Sequence, residues 1–203
     1  QADRPDLYRD YVSLLMNSGH AYYCFADADA IEEQRKTATE NEENWIYRGE
    51  DRDLSADEVR AKIDDGQAYT VRFKVPNEGA TVVNDQVQGE VSFDHEQIED
   101  FVLLRSDERP TYHLSNVVDD IEMGITHVIR GADHLSNTPK QILVYLALDA
   151  KLPEFAHLPL ILGPDGKRLS KRHGATSVNH FRDKGYLSGA VINYLSLLGW
   201  NPG

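Results

Sequence analysis

Apolar residues recur along this 203-residue chain with two different periods. Between residues 4 and 19, Leu7, Tyr8, Tyr11, Leu14 and Leu15 fall at helical spacing, and Gly19 stands where a helix closes on a left-handed residue. The run AYYCFA (21–26) is short and apolar, as in a buried strand. Residues 27–53 are acidic, and the spacing predicts a helix over 29–42. Ser55-Ala-Asp-Glu58 is a capping box whose helix should end near Gly66. The period then changes to two. AYTVRFKV (68–75) alternates as a strand, Pro76 stops it, and Asn77-Glu78-Gly79 turns it. ATVVND and QVQGEVSF (80–93) predict a hairpin about Asn84-Asp85, and FVLLR (101–105) a further strand. The middle of the chain reads as a small, locally antiparallel β-rich unit.

From residue 111 strand and helix alternate. TYHL predicts a strand, SNVVDDIEMG a helix ending at Gly124, and THVIRG (126–131) a second strand. Thr138-Pro139 is an N-cap followed by proline at the first helical position, opening KQILVYLALDA. HLPLIL (157–162) predicts a third strand, and two short helices follow at 177–184 and 188–198. This order implies a parallel α/β sheet.

Composition adds a constraint. The net charge is −13, yet residues 161–203 carry six Lys/Arg against two Asp/Glu. An acidic surface repels phosphate backbones, so nucleic acid would have to be met through local basic features. No apolar run approaches the length of a membrane span, and no signal peptide is visible. The single cysteine, Cys24, excludes an internal disulfide and a multi-cysteine zinc site. It reads as a small buried hydrophobe and fits a reducing cytoplasm. Asp119-Asp120 lie side by side on a helix and so point in different directions, and His113, His127 and His157 lack metal-ligand spacing.

The basic excess concentrates in GPDGKRLSKRHG (163–174), where Lys167, Arg168, Lys171 and Arg172 stand between glycines. Such a loop suits a polyanion, but GxxxxGK[ST] is absent, so it is no P-loop. Arg130 ends a predicted parallel strand, where α/β sheets bind ligands, and its fork suits a carboxylate. Tyr112 and Asn116 are expected near the end of the neighbouring strand.

GPDGKRLSKRHGATSV resembles the signature lysine loop of class I aminoacyl-tRNA synthetases, in its glutamyl-tRNA synthetase form, with Arg168 where the family usually has lysine. PTYHLSNVVDDIEMGITHVIRGADHLSNTPKQ (110–141) resembles the glutamate-binding half of the same enzymes. The likeness extends over nearly the whole chain. It implies an incomplete Rossmann-like α/β sheet with an inserted α+β subdomain that binds the acceptor arm of tRNA. Residues 1–25 would end the first Rossmann half, 26–109 form the insertion, 110–162 the second half, and 163–203 the lysine loop and the start of the stem-contact helices. The family's HIGH motif is expected before residue 1 and its anticodon-binding domain after residue 203, so the chain on its own is expected to be inactive.

The resemblance further implies ATP-dependent activation of L-glutamate and its transfer to tRNA(Glu), with Mg2+ accompanying ATP. Lys171 would be catalytic, and Tyr112, Asn116 and Arg130 would bind glutamate. Asp133, His134, Ile161, Lys167, Arg168, Leu169, Ser170, Lys171 and Arg172 would meet ATP. Some relatives hold zinc in the insertion, but Cys24 and the region of Tyr47-Arg48-Gly49 offer no ligand set, so no zinc is expected. A monomer with no membrane association is implied. Two alternatives stay open: a paralogue that glutamylates a modified tRNA nucleoside, and a non-catalytic module that binds RNA or anions.

Overall fold

A computed structural model describes residues 4–163, 165–166 and 177–198. In order, the elements are α1 (Pro5–Asn17), β1 (Ala21–Cys24), α2 (Ala28–Glu40), α3 (Ala56–Asp64), β2 (Thr70–Phe73), β3 (Ala80–Asp85), β4 (Gly89–Asp94), β5 (Val102–Leu104), α4 (Tyr112–Glu122), β6 (His127–Gly131), α5 (Thr138–Ala147), β7 (Glu154–Leu158), α6 (Val178–Asp183) and α7 (Ser188–Ser196). Short 3-10 turns cover Glu50–Asp53, His95–Gln97 and Ala132–Asn137. Among the described residues no helix is long and apolar enough to cross a membrane.

The strands form two sheets. One is antiparallel, in the order β1-β2-β5. The other is mixed, in the order β4-β3-β7-β6, with β6–β7 and β7–β3 parallel and β3–β4 antiparallel. The predicted hairpin is therefore locally antiparallel but belongs to the sheet of β6 and β7, so that sheet crosses the subdomain boundary expected at 109/110.

Helix α1 buries Tyr8, Val12 and Leu15, while Leu14 of the predicted stripe is exposed. Gly19 takes φ +76°, and the amides of Gly19 and His20 return to the carbonyls of Met16 and Leu15, the expected left-handed closure. Ser55 and Glu58 make the reciprocal capping box. The main core joins α1 to Val71 and Phe73 of β2, Leu103 of β5, Leu114, Val117 and Val118 of α4, and Val144 of α5. A smaller cluster of Val83, Ile142 and Phe155 fixes α5 on the mixed sheet. Cys24 is buried, its Sγ 3.2 Å from Tyr47 Oη.

Four local expectations are corrected. TYHL is not a strand: α4 begins at Tyr112, because Leu114 shares one helical face with Val117 and Val118 and is buried with them, Ile121 packing partly buried against the same core. Thr111 still pairs its amide with Leu103, and the sheet ends there. The hairpin turns at Gln86–Gln88, not at Asn84-Asp85. Asp85 stays in the strand opposite Gly89, and its carboxylate accepts from the amides of Val87 and Gln88. Strand β7 is earlier than HLPLIL, because Pro153 and Pro159 bracket it and a proline has no N–H for the ladder. Finally, Asn137 is the N-cap of α5 and Thr138 its first residue.

Asp100 organises the antiparallel sheet. It is fully buried, ion-paired with Arg48 at 3.2 Å and Arg52 at 3.0 Å, and accepts from Tyr22 Oη and the Val75 amide. Removing one member of such a set leaves buried charge uncompensated. Asp100→Ala should therefore lower stability by about 3–5 kcal/mol, measured by urea unfolding. A loss near zero would show that Arg48 and Arg52 find other partners.

Candidate active site

Parallel pairing sets Arg130 on β6 beside His157 on β7, so their side chains meet on one face of the sheet. The Arg130 guanidinium is held on three sides. Its Nε donates to His157 Nε2 at 3.1 Å, and its Nη2 donates to Thr138 Oγ1 at 2.9 Å and Gln141 Oε1 at 2.7 Å. Its Nη1 donates to Tyr112 Oη at 3.0 Å. Gln141 in turn donates through Nε2 to Asn116 Oδ1 at 2.8 Å. Tyr112 and Asn116 are four residues apart on α4, one turn of the same helix face.

The three residues expected to bind a carboxylate substrate are thus brought into one hydrogen-bonded set. Tyr112 and Asn116 reach it from α4 and not from a strand end. Arg130 does stand at the C-terminal end of a parallel strand, one residue before Gly131. An arginine has five N–H donors. Four are used here, and one Nη1 N–H has no partner among the described residues. Tyr112 is 42% exposed, so this side of the fork faces outward.

Sequence reasoning missed the groups behind Arg130. His157 is fully buried, and its Nδ1 donates to Asp85 Oδ2 at 2.6 Å. The His157 backbone amide also points at both Asp85 oxygens, at 3.1 Å each. Burial by itself would raise the Asp85 carboxyl. The Gln88 amide, the His157 ring and amide, and the Val87 amide outweigh it and hold the group down at about 2. Asp85 was hidden because it reads as a turn residue, and His157 because it stands inside an apolar run.

Asp133 and His134 follow in the 3-10 turn after β6. The rings of His134 and Tyr112 lie 6.0 Å apart, and Thr138 Oγ1 approaches the His134 carbonyl at 3.4 Å. A Cβ at Gly131 would meet the Asp133 carboxylate, Oδ1 at 2.5 Å, so that side chain closes over the backbone there. Leu160 packs on the same position, and Ile161 beyond it is 48% exposed. Lys167, Arg168, Leu169, Ser170, Lys171 and Arg172 lie outside the described residues.

Asp119 and Asp120 go separate ways, as expected. Asp119 accepts from Tyr8 and pairs with Arg4, whereas burial raises the Asp120 carboxyl. Among the described residues no group of three or more His, Cys, Asp or Glu side chains is placed to hold a metal ion.

The family model described as tRNA synthetases class I (E and Q), catalytic domain, matches residues 1–203. The chain is 49% identical to a glutamate–tRNA ligase of Caldanaerobacter subterraneus, over 100% of this chain and 42% of that protein. It is 52% identical to one from Koribacter versatilis, over 98% of this chain and 42% of that protein. A crystal structure of a glutamate tRNA ligase from Elizabethkingia meningosepticum, in complex with its amino acid, superposes with a TM-score of 0.86. It has 34% identity and covers 100% of this chain and 45% of that one. The chain therefore spans about two-fifths of the length of these curated relatives.

His113, beside Tyr112, gives a pH signature. Burial, then the Lys140 and Arg130 charges, depress its imidazole to about 4, and its Nδ1 is buried without a hydrogen-bond partner among the described residues. The unfolded chain therefore binds the proton more tightly than the folded one. This contribution to stability is complete above pH 6.5 and is lost as pH falls from 6.5 through 4. His113→Phe keeps the edge contact with Phe101 and should flatten the stability–pH curve across that window, measured by urea unfolding at a series of pH values. An unchanged slope would assign the titration elsewhere.

Proposed function

This chain belongs to the class I tRNA synthetases (E and Q), as part of their catalytic domain, and on that premise we propose that the protein of which it is part joins L-glutamate to tRNA(Glu) at the expense of ATP. The observation that carries this reading is the Arg130 fork: a guanidinium locked from behind, with one N–H unpartnered among the described residues and the Tyr112 hydroxyl turned outward together. Tyr112 accepts from Arg130 and keeps its own proton for a substrate carboxylate. Two donors, one of them charged, then meet one carboxylate. Asn116, held through Gln141, offers a further polar contact one helical turn away.

In the first step a glutamate α-carboxylate oxygen attacks the α-phosphorus of Mg-ATP. A new O–P bond forms, the bond to the α–β bridging oxygen breaks, and pyrophosphate leaves with the electron pair. In the second, the 2′-hydroxyl oxygen of the terminal tRNA adenosine attacks the acyl carbon, the bond from that carbon to the phosphate oxygen breaks, AMP leaves with the electron pair, and the hydroxyl proton is released. Negative charge builds on the bridging and pyrophosphate oxygens as the first bond breaks. A cation aimed at those oxygens stabilises the transition state more than the ground state. On the loop's sequence that cation is Lys171, with Lys167, Arg168 and Arg172 attracting the triphosphate and Leu169 and Ser170 completing the contact. Asp133, His134 and Ile161 bound the nucleotide end, near Gly131. Residues 26–109 contribute the contacts to the acceptor arm, and the whole works as a monomer in the cytoplasm.

Three substitutions in the full-length protein test the assignment. Arg130→Ala should cost about 2–4 kcal/mol in kcat/KM for glutamate with the fold intact, and an unchanged value would exclude Arg130 from the site.

Lys171→Ala should lower the rate of adenylate formation by roughly 100-fold or more while KM for ATP changes far less. Lys167→Ala should mainly raise KM for ATP. Pre-steady-state adenylate formation in both variants is the measurement. If Lys167→Ala is the more damaging to the chemical step, Lys171 is not the catalytic lysine.

A further inference from the structure

Arg130 could not be aimed by its own backbone. It is a long side chain with many rotamers, and a loose guanidinium would have to be ordered each time a carboxylate bound. The structure shows what orders it. Nε, the nitrogen nearest the stem, is fixed by His157, and fixing Nε sets the plane of the whole fork. His157 can serve only if Nε2 is the acceptor of its ring. Nδ1 faces an Asp85 oxygen that can only accept, so Nδ1 carries the proton and Nε2 presents its lone pair. Asp85 is itself immobile, because its carboxylate holds the amides of Val87, Gln88 and His157. Asp85 and His157 are fully buried as side chains and do not reach the outward side of the fork.

We propose that Asp85 and His157 are positioning residues for substrate binding: Asp85 dictates the tautomer of His157, and that tautomer aims the Arg130 guanidinium at the glutamate carboxylate. This rests on the reading that Arg130 binds glutamate. It gives the β3–β4 hairpin a part in amino-acid recognition, although neither strand touches the site's outward face. Thr138, whose hydroxyl meets both Arg130 Nη2 and His157 Nε2, closes the arrangement at the start of α5.

The chemistry of asparagine at position 85 supplies the test. Its carbonyl oxygen would stay with the backbone amides, leaving its NH2 opposite His157 Nδ1. The ring would then accept at Nδ1 and carry its proton on Nε2, where it opposes the Arg130 Nε–H. In the full-length enzyme, Asp85→Asn should raise KM for glutamate about ten-fold or more in aminoacylation, with KM for ATP nearly unmoved. In His157→Gln, a side-chain carbonyl accepts from Arg130 whatever stands at residue 85. Adding Asp85→Asn to that variant should therefore raise KM for glutamate by less than about two-fold, a non-additive cycle that a purely structural role would not produce. The 15N spectrum of ring-labelled histidine gives a readout independent of activity. The His157 signals, identified by their loss in His157→Gln, should show a protonated Nδ1 in the parent and a protonated Nε2 in Asp85→Asn.

The proposal is overturned if the ring does not change tautomer. It is also overturned if Asp85→Asn costs the same in both backgrounds, or if KM for glutamate stays put while Arg130→Ala raises it. If Arg130→Ala itself leaves KM for glutamate unchanged, the glutamate reading falls, and the proposal that rests on it falls too. The 15N spectrum then decides only whether Asp85 controls the ring.

Discussion

A buried carboxylate cannot be left unanswered, and in this molecule Asp85 is answered by three backbone amides and an imidazole. Satisfying it makes the hairpin turn at residues 86–88, draws the end of β3 against β7, and orients the ring on which Arg130 leans. Strand pairing alone would do little of this, since β3 and β7 share a short parallel register at Asp85 and Phe155. The hydrogen bonds from one side chain therefore extend what the ladder begins. They run from the hairpin to the outward-facing fork through two buried residues.

Asp100 plays a matching part in the antiparallel sheet, by different means. Its partners are two arginines, a tyrosine and one amide. It joins the turn at residues 47–52 to the end of β2. Asp85 is held by dipoles and a ring, Asp100 by opposite charge. The first suits a place behind an arginine, because a cation there would repel the guanidinium. The second suits a place where chain segments without regular structure have to be pinned.

The distribution of charge follows from the same logic on a larger scale. The acidic surface meets water, and four of the six basic residues in 161–203 are gathered in one glycine-flanked loop. Arg130, by contrast, spends most of its donors inward. What is left outward is small: one N–H without a partner among the described residues, beside the Tyr112 hydroxyl. The same arrangement explains why Gln141, Thr138 and His157 are buried polar residues in a region otherwise packed with Val83, Ile142 and Phe155.

Much of this was legible in the chain itself. The helix of residues 4–19, the capping box at Ser55, the alternating strands of the middle and the parallel strand ending at Arg130 are local patterns, decided by spacing and by glycine and proline chemistry. The candidate site was legible as residue types, Tyr112, Asn116 and Arg130, because an arginine at a strand end is informative before any packing is known. Which sheet the hairpin joins was not legible, since a hairpin satisfies its own ladder and leaves its outer edge uncommitted. Nor was the start of α4: Tyr112–Leu114 suits a strand until Leu114 is seen to share the buried stripe of Val117 and Val118. The roles of Asp85, His157 and Gln141 depend on hydrogen bonds between residues as many as 72 positions apart. No local period encodes such bonds, and only the tertiary structure, by removing water from those groups, compels them to find one another.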